Sequence, residues 1–416
     1  MTDCVGNTVS DRHCGVSADI EPAAPAWMAV FSLAMGVFGL LTAEYLPASL
    51  LTLMATELGV SEALAGQAVT VTAVVALFAG LLVPGLTRGI DRRWVLLGFS
   101  VLMVASNLLV AVSSSFAVLL VMRILLGIAL GGFWSMAAAV AMRLVPSALL
   151  PRALSIIFSG IAIGTVVAVP LGSYLGGLYG WRSAFFAAAA VGMVTLAFQS
   201  FTLPKLAPRR PARLRTVFEV LLRPGIAMGM FGCVLVHSGH FAMFTYVRPF
   251  LEGTTGIGAQ GLSLMLLGFG VANFVGTLLA GRLLERYPLA TLVLMPALVG
   301  VAALALVLLP ASVPGQAVLL AVWGMAFGGV PVAWSNWVAS AVPDQAESAG
   351  GMVVASVQSA IATGAAAGGA MFSLGGSAGV FVAAGVLMLL AALLIAVRVR
   401  VPSAHGVRQS KPALHL

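Results

Sequence analysis

Two charged residues stand where charge is costly. Glu44 lies deep in an apolar run over 27–50, and Arg123 deep in another over 116–141. The chain has 13 acidic residues, and the remaining twelve fall in tails, loops or the ends of apolar runs. Arg123 is the only lysine or arginine away from the ends of such runs. A charge held in hydrocarbon costs roughly 2.5–3.5 kcal/mol on insertion scales, so an acid and a base there call for a function or a partner. His237 and His240 sit in a third run, with Phe244 one turn beyond His240. Hydrogen-bonding or aromatic residues placed within runs are Gln67, Thr70, Trp134, Ser135, Tyr246, Trp334, Asn336, Trp337 and Gln358. Such residues could line a binding site, which needs apolar faces and a few fixed polar groups. The competing reading for each is ordinary helix packing, an interhelical hydrogen bond, or an aromatic at the membrane boundary.

No reaction chemistry is written here. There is no G-x-x-x-x-G-K-[ST] phosphate loop, no acid pair and no nucleophile motif. Cys4, Cys14 and Cys233 form neither a CxxC nor a Cys/His cluster, so no metal site or disulfide framework is expected. An enzyme is not expected, and neither is a cofactor.

These residues need elements that hold them in lipid. Of 416 residues 61% are hydrophobic and 8% charged, against about 25% charged in a soluble domain. That excludes a soluble enzyme, a disordered chain, a secreted disulfide scaffold and a nucleic-acid partner, in spite of the net charge of +8. About 20 apolar residues cross a bilayer as a helix. Such runs cover 27–50, 63–86, 94–112, 116–141, 153–178, 183–203, 225–247, 262–284, 289–309, 315–342, 350–374 and 379–397. The reading is an all-α integral membrane protein of twelve helices, with eleven as the alternative should one run be interfacial. Residues 1–26 form a polar tail, 27–203 a first six-helix half, 204–224 a basic central loop, 225–397 a second half and 398–416 a second tail.

Lysine and arginine gather on one side. Arg88, Arg92, Arg93, Arg143, Arg152, Arg282, Arg286, the central loop and the C-terminal tail share it, while the opposite loops hold only Arg182 and Arg248. Both termini are expected in the cytoplasm. The halves also repeat. Gly127, Gly131, Gly132 and Pro146 fall 197 positions before Gly324, Gly328, Gly329 and Pro343.

Twelve helices as six plus six, with glycine-rich loop motifs, resemble the major facilitator superfamily over about residues 25 to 400. Its loop signature G-x-x-x-D-R-x-G-R-R is matched by Gly281, Arg282, Glu285 and Arg286. A degraded copy runs from Gly85 through Gly89 to Asp91, Arg92 and Arg93. Its expected role is a tight turn with a charge pair latching adjacent helices. Arg123 to Gly127 resembles the R-x-x-x-G element. Gly160, Gly164, Pro170 and Gly172 resemble a variant of the antiporter motif, which favours export. Several stretches resemble bacterial purine ribonucleoside efflux pumps in the drug–proton antiporter branch. They are Gly66 to Ala73, Leu130 to Met136, Gly180-Trp181-Arg182, Phe244 to Pro249 and Asp344 to Glu347.

The resemblance implies proton-coupled efflux of a small metabolite, with purine ribonucleosides such as inosine and guanosine first. Export of drugs or sugars is the alternative, and a non-transporting receptor or scaffold a third. Substrate, protons and the lipid bilayer are the expected partners, and a monomer is expected. The fold it implies puts the first and fourth helices on one cavity, so Glu44 and Arg123, at similar depth, are expected to pair. Glu44 then couples protons, serves as a static ion pair, or contacts substrate hydroxyls. The charge asymmetry yields a topological test. A cysteine at Pro208 is expected to resist impermeant thiol reagents in intact cells; strong labelling overturns the orientation.

Overall fold

The computed structural model describes residues 25–146, 149–208, 219, 221–342 and 346–400; of these, the side chains of 138, 151, 162 and 346–350 are outside the description. Arg209, Arg210, Arg213, Arg215 and most of both tails therefore lie outside the described residues. The described chain is nearly all helix. The first half comprises α1 (Trp27–Ser49), α2 (Leu51–Leu58), α3 (Glu62–Ala65), α4 (Gln67–Leu86), α5 (Arg92–Ala111), α6 (Phe116–Leu144), α7 (Leu150–Tyr179) and α8 (Trp181–Thr202). The second comprises α9 (Ile226–Thr245), α10 (Val247–Thr255), α11 (Ala259–Arg286), α12 (Pro288–Leu308), α13 (Val313–Ala341) and α14 (Ala346–Arg398).

Among the described residues, eleven stretches of helix are long and apolar enough to cross a membrane. The last of them makes two crossings. Backbone angles leave the helical region at Gly375 and Gly376, where φ at Gly376 is 63°, a conformation open to glycine. Neighbours on α9 show the chain turning back there. Ser356 donates to the Met230 sulfur and Thr363 bonds Ser238, so the first arm runs alongside α9. Beyond the turn Met388 meets Gly239 and Ile395 meets Gly232, so the second arm runs the other way. The twelve expected crossings are present.

Three short breaks differ from the expected uniform runs. The first run stops at Ser49 and continues as α2; the second starts as the one-turn α3, N-capped by Ser61 through Leu64 N; the seventh stops at Tyr246 and continues as α10. α2 and α10 each end on a left-handed glycine, Gly59 at φ 64° and Gly256 at φ 63°. Those two glycines are 197 positions apart, as the repeat requires.

Packing repeats with the same offset. A Cβ on Gly127 would stand 2.7 Å from the Thr72 carbonyl oxygen, and one on Gly324 2.5 Å from that of Phe269. Gly131 closes likewise on the Ala76 carbonyl and Gly328 on that of Asn273. Glycine and partner both shift by 197. Small residues let helices approach closely in lipid, where no hydrophobic drive joins them. Thr277 then donates to the Gly328 carbonyl at 2.9 Å across the second of these seams.

The halves meet at the end of the bundle remote from the chain termini, here termed the distal end. Arg248 Nη1 donates to the Ser49 carbonyl at 2.6 Å and Tyr246 Oη to that of Ala63 at 3.3 Å. Tyr246 also fills the space beside Gly66, Gly368 and Gly369. Gly177 faces Ala259 there, and nearer the middle Gly270 lies against the backbone of Thr165 and Val166. Gly328→Leu is expected to destabilise the protein by about 1–3 kcal/mol or more, since the side chain meets backbone that cannot yield. Unchanged thermal melting of the purified variant would contradict this packing.

Candidate functional site

The site in the first half begins with a proline. Pro47 has no N–H, so the Ala43 carbonyl one turn earlier has no donor from its own helix. Arg123 supplies it, with Nη1 donating at 2.8 Å. Arg123 Nη2 donates to the Glu44 carbonyl at 3.4 Å and Nε to Thr72 Oγ1 at 2.9 Å. The guanidinium is fully buried, and it ties α6 to α1 and α4 together. Gly127 makes this reach possible, because one turn past Arg123 it brings α6 onto α4.

The expected Glu44–Arg123 ion pair is not formed. The two residues share a depth, but the arginine's donors go to main-chain carbonyls. Main-chain oxygens cannot move away, and the proline has left one of them without a bond. Glu44 is 4% exposed, and its Oε1 has no hydrogen-bond partner. Among the described residues it is the only buried carboxylate.

The second half places aromatic and imidazole groups at the matching level. His237 and His240 are one turn apart on α9. His237 Nδ1 lies 2.8 Å from the Cys233 carbonyl, and its Nε2 is buried without a partner. His240 Nδ1 accepts from Trp323 Nε1 at 3.1 Å. Its ring stacks on Phe327 and on Phe244, with Phe241, Phe269 and Trp323 around it. Phe244 in turn meets Tyr45 of the first half edge-on, at 5.3 Å between centroids. The aromatic cluster therefore ends at Tyr45, the residue after Glu44.

The other expected contact residues are spread more widely. Thr70 Oγ1 and Gln358 Oε1 are buried and unpartnered. Gln67 stands by Gly369 at the distal contact between the halves. Trp134 is partly exposed and stacks on Phe158 at 6.0 Å. Phe158 lies two turns from Thr165, on the face of α7 that meets α11. Ser135 bonds its own helix at Gly132 O, and Asn336 is exposed. Trp334 and Trp337 pack edge-to-face against each other and onto Gly232 and Gly229 of α9. With Tyr246, they hold helices together.

The loop motifs act differently in the two halves. Asp91 caps α5, accepting from Arg93 N and from Leu206 N, each at 2.9 Å. Partial burial works against its charge, yet those two N–H groups and the fields of Arg143 and Arg93 hold its carboxyl below the usual range. Arg92 donates to Thr87, and Arg93 to the Ser200 carbonyl at 2.7 Å. The latch thus fastens α5 to the chain after α8. In the second half the expected charge pair is absent among the described residues. Glu285 is exposed, and Arg286 lies over the Tyr287 ring instead. Neither Gly85 nor Gly281 has anything near its Cβ position, so neither marks a close approach. Gly160 and Gly172 do pack α7 on α1, at Ala34 and Leu46; Gly164 makes ordinary contact with Leu41. Pro170 is buried within α7.

Sequence reasoning missed Thr72, Phe269, Trp323, Phe327 and Arg248. Pro47 was the readable signal for Arg123's true acceptor. An aromatic inside an apolar run has no comparable signal.

Twelve crossings in two repeated halves, with buried polar groups at the middle and contact between halves at one end, define a secondary transporter. The profile of the Major Facilitator Superfamily matches residues 33–346 and 230–414, and the chain belongs to that superfamily. It is 44% identical over 379 residues to the purine ribonucleoside efflux pump NepI of Salmonella enteritidis PT4, covering 91% of this chain and 96% of that one. The Salmonella typhi pump of the same name gives the same figures. A D-xylose–proton symporter matches in fold with a TM-score of 0.73 at 18% identity, over 90% of this chain and 98% of its own. An inward-facing bacterial homologue of the lysosomal transporter Spinster matches at 0.68 and 14%, over 89% and 96%.

Arg123→Lys keeps the charge but not three diverging donors. It is expected to lower the melting temperature more than Thr72→Val, because each buried acceptor left unpaired costs about 1–3 kcal/mol. Equal melting of the two variants would contradict the assigned bonds.

Proposed function

We propose that this chain exports purine ribonucleosides such as inosine and guanosine across the inner membrane in exchange for protons, as a monomer, with Glu44 as the proton-carrying group. The substrate rests on the 44% identity to purine ribonucleoside efflux pumps over nearly the whole chain. The observation that carries the coupling is Glu44 itself: among the described residues the only buried carboxylate, its Oε1 without a partner, beside an arginine whose hydrogen bonds go to other groups. Such a carboxylate gains or loses a proton without breaking the bonds that hold α1, α4 and α6.

In this reading the termini face the cytoplasm and the distal end faces out. Contact at Tyr246 and Arg248 then closes the outside, and the substrate enters from within. Purine binding draws on the unpartnered atoms of Thr70, His237 and Gln358, and on His240 and Phe244. Trp134, Gln67 and Asn336 serve the approach or the contact between halves. Opening of the distal end lets the nucleoside leave and Glu44 take a proton; reclosure returns that proton to the cytoplasm. A nucleoside gives Glu44 no proton of its own, so the gradient supplies the drive.

Everted vesicles with an acidified interior are expected to accumulate labelled inosine. Glu44→Gln keeps the shape and removes the titratable group. It is expected to abolish gradient-driven accumulation and to retain inosine exchange at equal pH. Accumulation of sugars or lipophilic cations without any nucleoside overturns the substrate, and normal uphill export by Glu44→Gln overturns the coupling role.

A further inference from the structure

His237 and His240 present opposite hydrogen-bonding faces, and their neighbours fix which is which. A backbone carbonyl only accepts, so the 2.8 Å contact from His237 Nδ1 to Cys233 O places a proton on Nδ1. In the neutral ring Nε2 is then a bare acceptor, and it is buried without a partner. An indole N–H only donates, so the 3.1 Å contact from Trp323 Nε1 makes His240 Nδ1 the acceptor. The proton of neutral His240 then sits on Nε2, which makes no hydrogen bond to a described residue. The Cys233 thiol, 3.5 Å from His237 Nδ1, is a weak acceptor and does not alter the assignment.

The two rings also share a neighbourhood. Positions three apart lie on one helix face, about 5–6 Å between Cβ atoms. Both rings touch Phe327, His237 edge-on at 5.7 Å and His240 face to face. Phe244 covers a face of His240 at 5.4 Å. One turn of α9 therefore carries one fixed acceptor and one fixed donor, both set against aromatic faces.

We propose that His237 and His240 read the six-position edge of the purine and select 6-oxopurine over 6-aminopurine ribonucleosides, with Trp323 as the positioning residue; this rests on the purine ribonucleoside reading above. A 6-oxopurine offers an N1–H donor beside an O6 acceptor. The N1–H meets His237 Nε2, and O6 meets the N–H of His240. A 6-aminopurine offers the inverse, a bare N1 beside an amino donor, so that acceptor faces acceptor and donor faces donor. Swapping the tautomers to suit it would break the bonds to Cys233 O and Trp323. A site built for one pattern rejects the other because buried groups are left unpaired.

The test is competition against labelled inosine in everted vesicles, with unlabelled inosine and adenosine as competitors. In the unaltered protein adenosine is expected to compete at least about tenfold more weakly. Trp323→Phe keeps an aromatic ring on His240, Phe269 and Phe381 but deletes the N–H that holds the tautomer. It is expected to bring the two competitors within about threefold of one another while inosine still enters. His237→Leu, which removes the acceptor, is expected to act in the same direction. A ring change that only loosened packing would weaken both competitors alike and leave their ratio unchanged, and that result overturns the proposal. So does equal competition by inosine and adenosine in the unaltered protein, which leaves nucleoside export standing. If vesicles accumulate another solute and no nucleoside, the substrate reading falls and this inference with it.

Discussion

A carbonyl without a helical partner holds the first half together. Pro47 cannot bond Ala43, and Arg123 takes that oxygen along with the Glu44 carbonyl and the Thr72 hydroxyl. A guanidinium in hydrocarbon is tolerable when its donors are spread over fixed acceptors. Three helices are thereby set at one depth and one rotation. The carboxylate of Glu44, one residue from the freed carbonyl, is left outside that arrangement. Its independence is what allows a change of protonation without a change of fold.

The two halves use one frame for different chemistry. Position 43 in the first half corresponds to 240 in the second, 197 positions on. At each, a side chain from the fourth long helix of its half donates a hydrogen bond inward: Arg123 to the Ala43 carbonyl, Trp323 to the His240 ring. The first contact is charged and anchors backbone. The second is neutral and orients a side chain. The groups proposed for coupling and for recognition thus sit at one level, joined by the contact of Tyr45 with Phe244, and share no hydrogen bond.

Small residues decide where the frame is rigid. Gly127, Gly131, Gly324 and Gly328 close two helix pairs within the halves, and Gly160 and Gly172 close α7 on α1. Between the halves the contacts are mixed: Gly270 lies against the backbone of Thr165 and Val166, while hydrogen bonds join the distal end. Tyr246 and Arg248 reach across to carbonyls that stand at breaks in the first half's helices. A few hydrogen bonds at one end can be exchanged for water, whereas backbone packed on backbone cannot move without a large loss of contact. The distal hydrogen bonds are therefore more easily exchanged than the Gly270 seam.

Much was legible from residue order alone, because hydropathy is a local property and a spanning helix satisfies its own backbone. Twelve crossings, the repeat at 197 and the place of Glu44 as an acid deep in an apolar run follow from it. So does the stacking of Phe244 on His240, since residues four apart share a face. Tertiary structure decided the rest. Whether Arg123 would meet a carboxylate or a carbonyl depended on the rotation of α6 against α1, which depth does not determine. Asp91 took up its latch through Leu206, more than 100 residues away, while Glu285 stayed exposed. Phe269, Trp323 and Phe327 look like any apolar residue in a membrane run; only the approach of α11 and α13 to α9 made them walls of one cluster. Sequence determined how many helices cross and what each carries, because those are properties of single segments. Which side chains meet was decided by rotation and distance between segments, which no single segment contains.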